Sequence, residues 1–192
     1  NFFGTNEKLK ALGEADASGI IENLGLIEQN RVNSDVKITG WRKSGDTFVY
    51  YIDGNVQTGF FDVEGKRYYG RENGQVVKGW QLIDGGYYLF EDSGALVRDR
   101  WVKNDAGNWL YITADGKMAT GITDVAGTWY LMNADGEMQT GWQKLGNDWY
   151  YMNSSGAMYR NAWVKGDAGW YYMASDGKMA TGRISDGGTQ YI

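Results

Sequence analysis

The chain has 192 residues, a formal net charge of −5 and a pI near 4.8, a balance that argues against nucleic acid, whose binding relies on clustered Lys and Arg. A mean hydropathy of −0.52, with no long apolar run, excludes a membrane span. Cys and His are both absent, which removes disulfides, thiolate zinc sites, the commonest general base and the commonest metal ligand, so neither a cofactor nor a metal is implied.

In chain order, residues 1–39 stand apart from the rest. They hold only Phe2 and Phe3 of the chain's aromatic residues, and Leu9, Leu12, Ile20, Ile21, Leu24 and Ile27 fall at roughly helical spacings, interrupted by Gly13, Gly19 and Gly25. The pattern predicts one or two short helices, too small for a core of their own, that cap the aromatic-rich remainder of the chain or link to it. Because the sequence begins at Asn1 with neither a start Met nor a leader, it is expected to be part of a longer protein that holds any catalysis.

From residue 40 to 192 the sequence repeats. Starts at Gly40, Gly59, Gly79, Arg100, Gly121, Gly141, Ala162 and Gly182 are separated by 19 to 21 residues. Seven full units and a truncated eighth result, the signature of a stacked array. In the sixth unit "GWQKL" and "WYYMN" read as strands around the turn "GND", then "SSG" turns and "AMYR" leaves extended. Asp53-Gly54, Asn73-Gly74, Asp115-Gly116, Asp135-Gly136 and Asp176-Gly177 recur where the second strand must reverse. Each unit is a hairpin with a connector.

The aromatic residues can serve packing between units or a ligand. Alternation puts Trp149 and Tyr151 on one face of the second strand and Tyr150 and Met152 on the other. Packing between units accounts for the Tyr150 face and for Met132, Met152 and Met173. On the other face Trp142 is the expected cross-strand neighbour of Trp149, with Tyr172 arriving from the next unit. Met118, Met138, Met158 and Met179 recur two residues after a turn Gly and suit either a groove floor or a core. Three rings around a groove attract a weakly hydrated organic cation, and they also stack on sugar faces. The residues alone leave packing, cation and carbohydrate open.

The stretches "GWQKLGNDWYYMNSSGAMYRNAW" and "GWYYMASDGKMATG" resemble the choline-binding, or cell-wall-binding, repeats of bacterial autolysins, phage endolysins and surface proteins of Gram-positive bacteria. The resemblance covers about four fifths of the chain. It implies an all-β, left-handed solenoid of β-hairpins, with choline of teichoic acid held by two aromatic residues of one unit and one of the next. Carried onto this sequence, it implies a groove of Trp142, Trp149 and Tyr172 over Met158. A second groove comprises Trp80, Tyr87 and Tyr111, with Leu96 in place of the Met. The implied role is a non-catalytic, extracellular wall-anchoring module, bacterial or phage-encoded, with a homodimer through the terminal hairpin as the oligomer such an array allows.

Other units depart from the pattern. Phe60 replaces the first Trp and Arg67 the second, placing a cation where a ligand's would sit, and Ile122 deletes a first ring. Trp101 and Trp109 meet Leu131 at the matching third position, which leaves Tyr130 as the contributor if the chain turns differently. Trp163 and Trp170 meet Ile192. Two to four working sites are expected. Glucan-binding repeats of glucansucrases and receptor-binding repeats of clostridial toxins share the superfamily, so a glycan is the alternative ligand. The carboxylate pairs Asp62 with Glu64 and Glu91 with Asp92 fall in expected turns, and Ser93, Ser154 and Ser155 have no His to activate them, so catalysis is not expected.

Overall fold

The computed structural model describes residues 37–191, and among them every regular element is a strand. The expected helical segment lies outside the described residues except for 37–39, which carry no regular structure. The chain divides into two units. The first takes residues up to Thr58 together with Gly70–Val76, the second Gly59–Tyr69 together with Val77 onward.

In the first unit β1 (Gly40–Ser44), β2 (Thr47–Ile52) and β3 (Asn55–Val56) form one antiparallel sheet. Trp41 lies opposite Tyr50. Thr47 Oγ1 donates to the Val76 carbonyl at 2.6 Å, tying the hairpin to the returning segment.

Seven two-stranded hairpins lie in the second unit, Gly70 excepted: β4 (Gly59–Val63) with β5 (Lys66–Gly70), β6 (Gly79–Ile83) with β7 (Gly86–Phe90), β8 (Arg100–Lys103) with β9 (Trp109–Ile112), β10 (Gly121–Val125) with β11 (Thr128–Met132), β12 (Gly141–Leu145) with β13 (Asp148–Met152), β14 (Ala162–Gly166) with β15 (Gly169–Met173), and β16 (Ile184–Asp186) with β17 (Thr189–Tyr191). Seven of the eight repeat starts read from the sequence, Gly40 to Ala162, are the first residues of strands; in the eighth repeat β16 begins two residues after Gly182. Tight loops close the hairpins. At Ala126–Gly127 both residues have positive φ, 52° and 85°, the backbone twist that matches two antiparallel strands.

The connectors make hairpins into a stack. Each second strand is followed by a turn and an exit segment that pairs back on it: Ile112 bridges Met118, Met132 bridges Met138, Met152 bridges Met158 and Met173 bridges Met179. The exit segment also reaches the preceding hairpin. The Met118 N–H donates to the Tyr87 carbonyl, Met138 to that of Trp109, Met158 to that of Trp129 and Met179 to that of Trp149, each at 2.7 to 2.8 Å. One backbone hydrogen bond of this kind recurs per step and sets the register of unit on unit.

Ile112, Met132, Met152 and Met173 are the largest fully buried side chains, one per hairpin at the same strand position. Tyr150 is buried beside Met152, while Trp149 stays exposed, so the two faces of β13 divide as the alternation predicts. Burying one such Met contributes about 1.5 to 3 kcal/mol. The turn glycines explain the methionine phase. At Gly156, φ is +85° and an added Cβ would lie 2.3 Å from Met138 Sδ; at Gly136 and Gly177 the clash is with Met118 and Met158. Each thioether packs under the bare backbone of the next turn.

Candidate functional site: aromatic grooves along the second unit

One groove is built on β12 and β13. Trp142 lies opposite Tyr151 and Lys144 opposite Trp149, so the two indoles are diagonal neighbours on one face rather than directly paired. Their centroids are 6.5 Å apart with planes at 81°. The third ring is Tyr171, whose centroid is 5.2 Å from Trp142 at 74°. Trp142, Trp149, Tyr171, Met179 and the turn Gly166–Asp167–Ala168 line a cavity of about 410 Å³. Gly166 keeps it open, since an added Cβ would lie 2.9 Å from the Tyr171 ring and 3.6 Å from Trp142 Nε1. Near-perpendicular rings leave their faces free for a guest instead of stacking on one another.

The same geometry recurs around Trp101. Trp109 stands 6.5 Å away at 88° and Tyr130 4.8 Å away at 69°. These three, with Met138, Ser154 and Ser155, line a cavity of about 370 Å³. In both grooves the residue before the floor methionine is tied to the hairpin beneath. Glu137 accepts from the amides of Asn104 at 2.9 Å, Asn108 at 2.7 Å and Asn133 at 3.2 Å. Those donors hold its carboxyl below the ordinary range, Asn108 contributing most. Lys178 pairs with Asp148 at 2.7 Å, which raises its own pKa.

Several expected placements are corrected. Tyr172 does not face Trp142; it lies opposite Trp163 in its own hairpin, with ring centroids 5.1 Å apart. Met158 is not the floor of the Trp142 groove. It is buried with Leu131, Tyr150 and Met152 against Trp129, one step back in the stack, and Met179 takes the place assigned to it. Tyr111 does not complete the groove of Trp80 and Tyr87. Its ring is 5.1 Å from Trp101 and its hydroxyl donates to Asp99, while burial, aided by that carboxylate, raises its pKa. Leu110, buried, occupies the matching position, so Trp80 and Tyr87, both exposed, lack a third ring.

One cause underlies the shifts of the third ring. The third ring comes from the inward face of the next hairpin, the face that carries the core methionine, and not from the face that matches Trp149. Tyr130 and Tyr171 have that parity. So has Tyr191, whose centroid is 4.7 Å from Trp163; the expected partner Ile192 lies outside the described residues. Trp163 Nε1 donates to Asp186 at 2.8 Å, and Trp170 is 64% exposed. Tyr171, Tyr191, Asp167, Met138 and Met179 are thus groove residues that the resemblance had not assigned. The recurrence of Tyr two places before the core Met at positions 130, 150 and 171 was the available signal.

Cations already meet these rings. Lys103 Nζ lies 4.7 Å from the Trp109 centroid and Lys144 Nζ 5.9 Å from that of Trp149. At Phe60 the neighbouring inward ring is Tyr88, 5.2 Å away, and the Arg67 guanidinium sits 5.0 Å over Phe60. That groove carries its own cation, as the substitution pattern suggested.

Among known proteins, the family model for the choline-binding repeat matches residues 57–101 and 119–163, and that for the cell wall binding repeat matches 99–118 and 161–179. The solved structure of CbpJ from Streptococcus pneumoniae is similar with a TM-score of 0.66 and 29% identity, over 81% of this chain and 63% of that one. Choline binding protein F from Streptococcus pneumoniae, solved in the presence of a peptidoglycan analogue (tetrasaccharide-pentapeptide), gives 0.63 and 31% over 81% and 63%. Glucosyltransferase-S of Streptococcus mutans is 33% identical over 81 residues, 41% of this chain but 6% of that protein.

Proposed function

Because the chain belongs to the choline-binding, or cell-wall-binding, repeat family, we propose that its second unit binds choline groups of wall polymer in the Trp142 and Trp101 grooves. It does so as a non-catalytic module that holds a larger, extracellular protein to the bacterial envelope. The observation that carries this reading is the three-ring box over a methionine, found twice with the same ring spacing. A quaternary ammonium is weakly hydrated and donates no strong hydrogen bond, so it gains from ring faces and asks nothing of polar groups. In the Trp142 groove the wall includes an acidic residue, Asp167, a charge favourable to a cation.

Each ring contributes about 0.5 to 2 kcal/mol to a bound cation, roughly 2 to 6 for three before ordering costs. The middle of that range corresponds to a dissociation constant of about 1 mM. Single grooves are weak, and repeated grooves on one chain gain about a hundred to ten thousand fold on a polymer that presents many choline groups.

A glucan is the second reading, favoured by the sequence match to Glucosyltransferase-S. Sugar hydroxyls need fixed polar partners; the Trp142 cavity has one charged residue among rings, Gly, Ala and Met, and the Trp101 cavity has Ser154 and Ser155. Tryptophan fluorescence tests the two. Millimolar choline is expected to shift it saturably, with sodium chloride at matched ionic strength and dextran both flat. A flat choline titration with a saturable response to dextran would transfer the function to the glycan.

A further inference from the structure

The groove at Ile122 and Trp129 lacks its first indole, yet its remaining parts are in place. Tyr150 holds the inward position that Tyr130 and Tyr171 fill in the open grooves, and the Met158 N–H donates to the Trp129 carbonyl as Met179 does to that of Trp149. Trp129 packs on the cluster of Leu131, Tyr150, Met152 and Met158, and its Nε1 donates to Asp124 at 3.0 Å. Over this ring lies the chain's own guanidinium. Arg160 Cζ is 3.7 Å from the Trp129 centroid, at stacking distance, and Arg160 Nε donates to the Ser175 carbonyl at 2.7 Å.

The second contact locates the guanidinium within the groove. Ser175 occupies in its turn the position that Ser154 has one repeat earlier, and Ser154 with Ser155 walls the open cavity over Trp109. Arg160 therefore spans from ring to turn across the space that is open one step back. Its counterparts in the neighbouring exit segments are Thr140 and Thr181, short and uncharged.

We propose that Arg160 is a built-in substitute for an external organic cation, and that the Trp129 groove is a latent quaternary-ammonium site closed by it. The proposal rests on the reading of these grooves as cation cages. A tethered group acts at an effective concentration that millimolar free ligand does not overcome when the tethered group also holds a hydrogen bond to the site. Arg160 thus takes the Trp129 groove out of binding, and the intact chain leaves Trp129 silent.

The test is titration calorimetry of the full chain with tetramethylammonium chloride and with choline chloride. Arg160→Thr copies the residue of the open grooves and should bind one equivalent more than the parent chain. Adding Trp129→Leu should return the count to the parent value. Arg160→Gln, which can keep the Ser175 hydrogen bond without the charge, should show the same gain and carries the test if the Thr variant does not fold. Folded variants with unchanged stoichiometry would overturn the proposal. If the parent binds nothing and Arg160→Thr binds one equivalent, the latent site stands and the reading of the Trp142 and Trp101 grooves falls. If neither binds, both fall.

Discussion

Tyr171 and Tyr172 are adjacent, chemically identical and on opposite faces of β15, so exchanging each for Leu isolates what the groove geometry claims. Tyr171 closes the Trp142 cavity at 5.2 Å, while Tyr172 packs on Trp163. Leu is the residue the fold itself uses at the position matching Tyr171, where Leu110 is buried, so Tyr171→Leu should fold. The aromatic pair with Trp142 is lost, about 0.5 to 1.5 kcal/mol. The bound cation loses one wall of three, about 0.5 to 2 kcal/mol, which is roughly a 2- to 30-fold weakening in that groove. A local reporter is required because other grooves contribute to any bulk signal. Met179 lines the Trp142 groove and Met138 the Trp101 groove, so choline titrations of methionine-methyl-labelled protein followed by NMR read the two separately. Tyr171→Leu should weaken the Met179 titration and leave that of Met138 unchanged; Tyr172→Leu should leave the Met179 curve where it is. If Tyr172→Leu weakens it and Tyr171→Leu does not, the assignment of the third ring to the inward face is wrong.

Gly156→Ala should cost about 2 to 5 kcal/mol by thermal or urea melting, because a left-handed φ of +85° and a Cβ 2.3 Å from Met138 Sδ act together. Gly146→Ala, at φ +62° with nothing within 4 Å, should cost only about 1 to 2 kcal/mol; equal losses would refute the claim that the thioether needs bare backbone. Ala126→Gly should raise stability by roughly 1 kcal/mol by relieving a non-glycine residue at φ 52°, and an unchanged melt would show that the loop is unstrained. Glu137 has its folded pKa depressed by three amide donors, so its contribution is present at neutral pH, above the unfolded value, and is lost as pH falls through the folded one. Glu137→Gln should therefore flatten the acid limb of melting temperature against pH below the ordinary carboxylate range, and an unaltered limb would mean that the amide cluster does not couple to folding.

The strand starts from Gly40 to Ala162 were legible because repetition shows the same turn chemistry eight times. The core column of Met132, Met152 and Met173 was legible because period-two alternation places those residues on the strand face away from Trp129, Trp149 and Trp170. What alternation cannot say is which neighbour each face meets. Tyr172 shares the parity of Trp149 and so looked like the next wall, whereas the stack turns the inward face of β15, with Tyr171, toward Trp142. The floor failed for a related reason. Met179 lies 37 residues beyond Trp142 and is brought under Trp149 by an inter-hairpin backbone hydrogen bond, a register that no local pattern encodes. Arg67 was visible as a cation because it replaces an aromatic at a repeat position. Arg160 stands at an exit position with no such contrast, and only its contact with Trp129 shows what it does.

Calorimetric titration of the chain with choline and, separately, ethanolamine at matched ionic strength tests the central claim most directly, since the two differ in the hydration and hydrogen-bonding of the ammonium. Grooves made of ring faces and a thioether should take choline saturably, at about millimolar affinity and in at least two equivalents, for the Trp101 and Trp142 grooves, and should give no saturable heat with ethanolamine. Equal binding of both amines, or of neither, would contradict the account of these grooves as quaternary-ammonium cages.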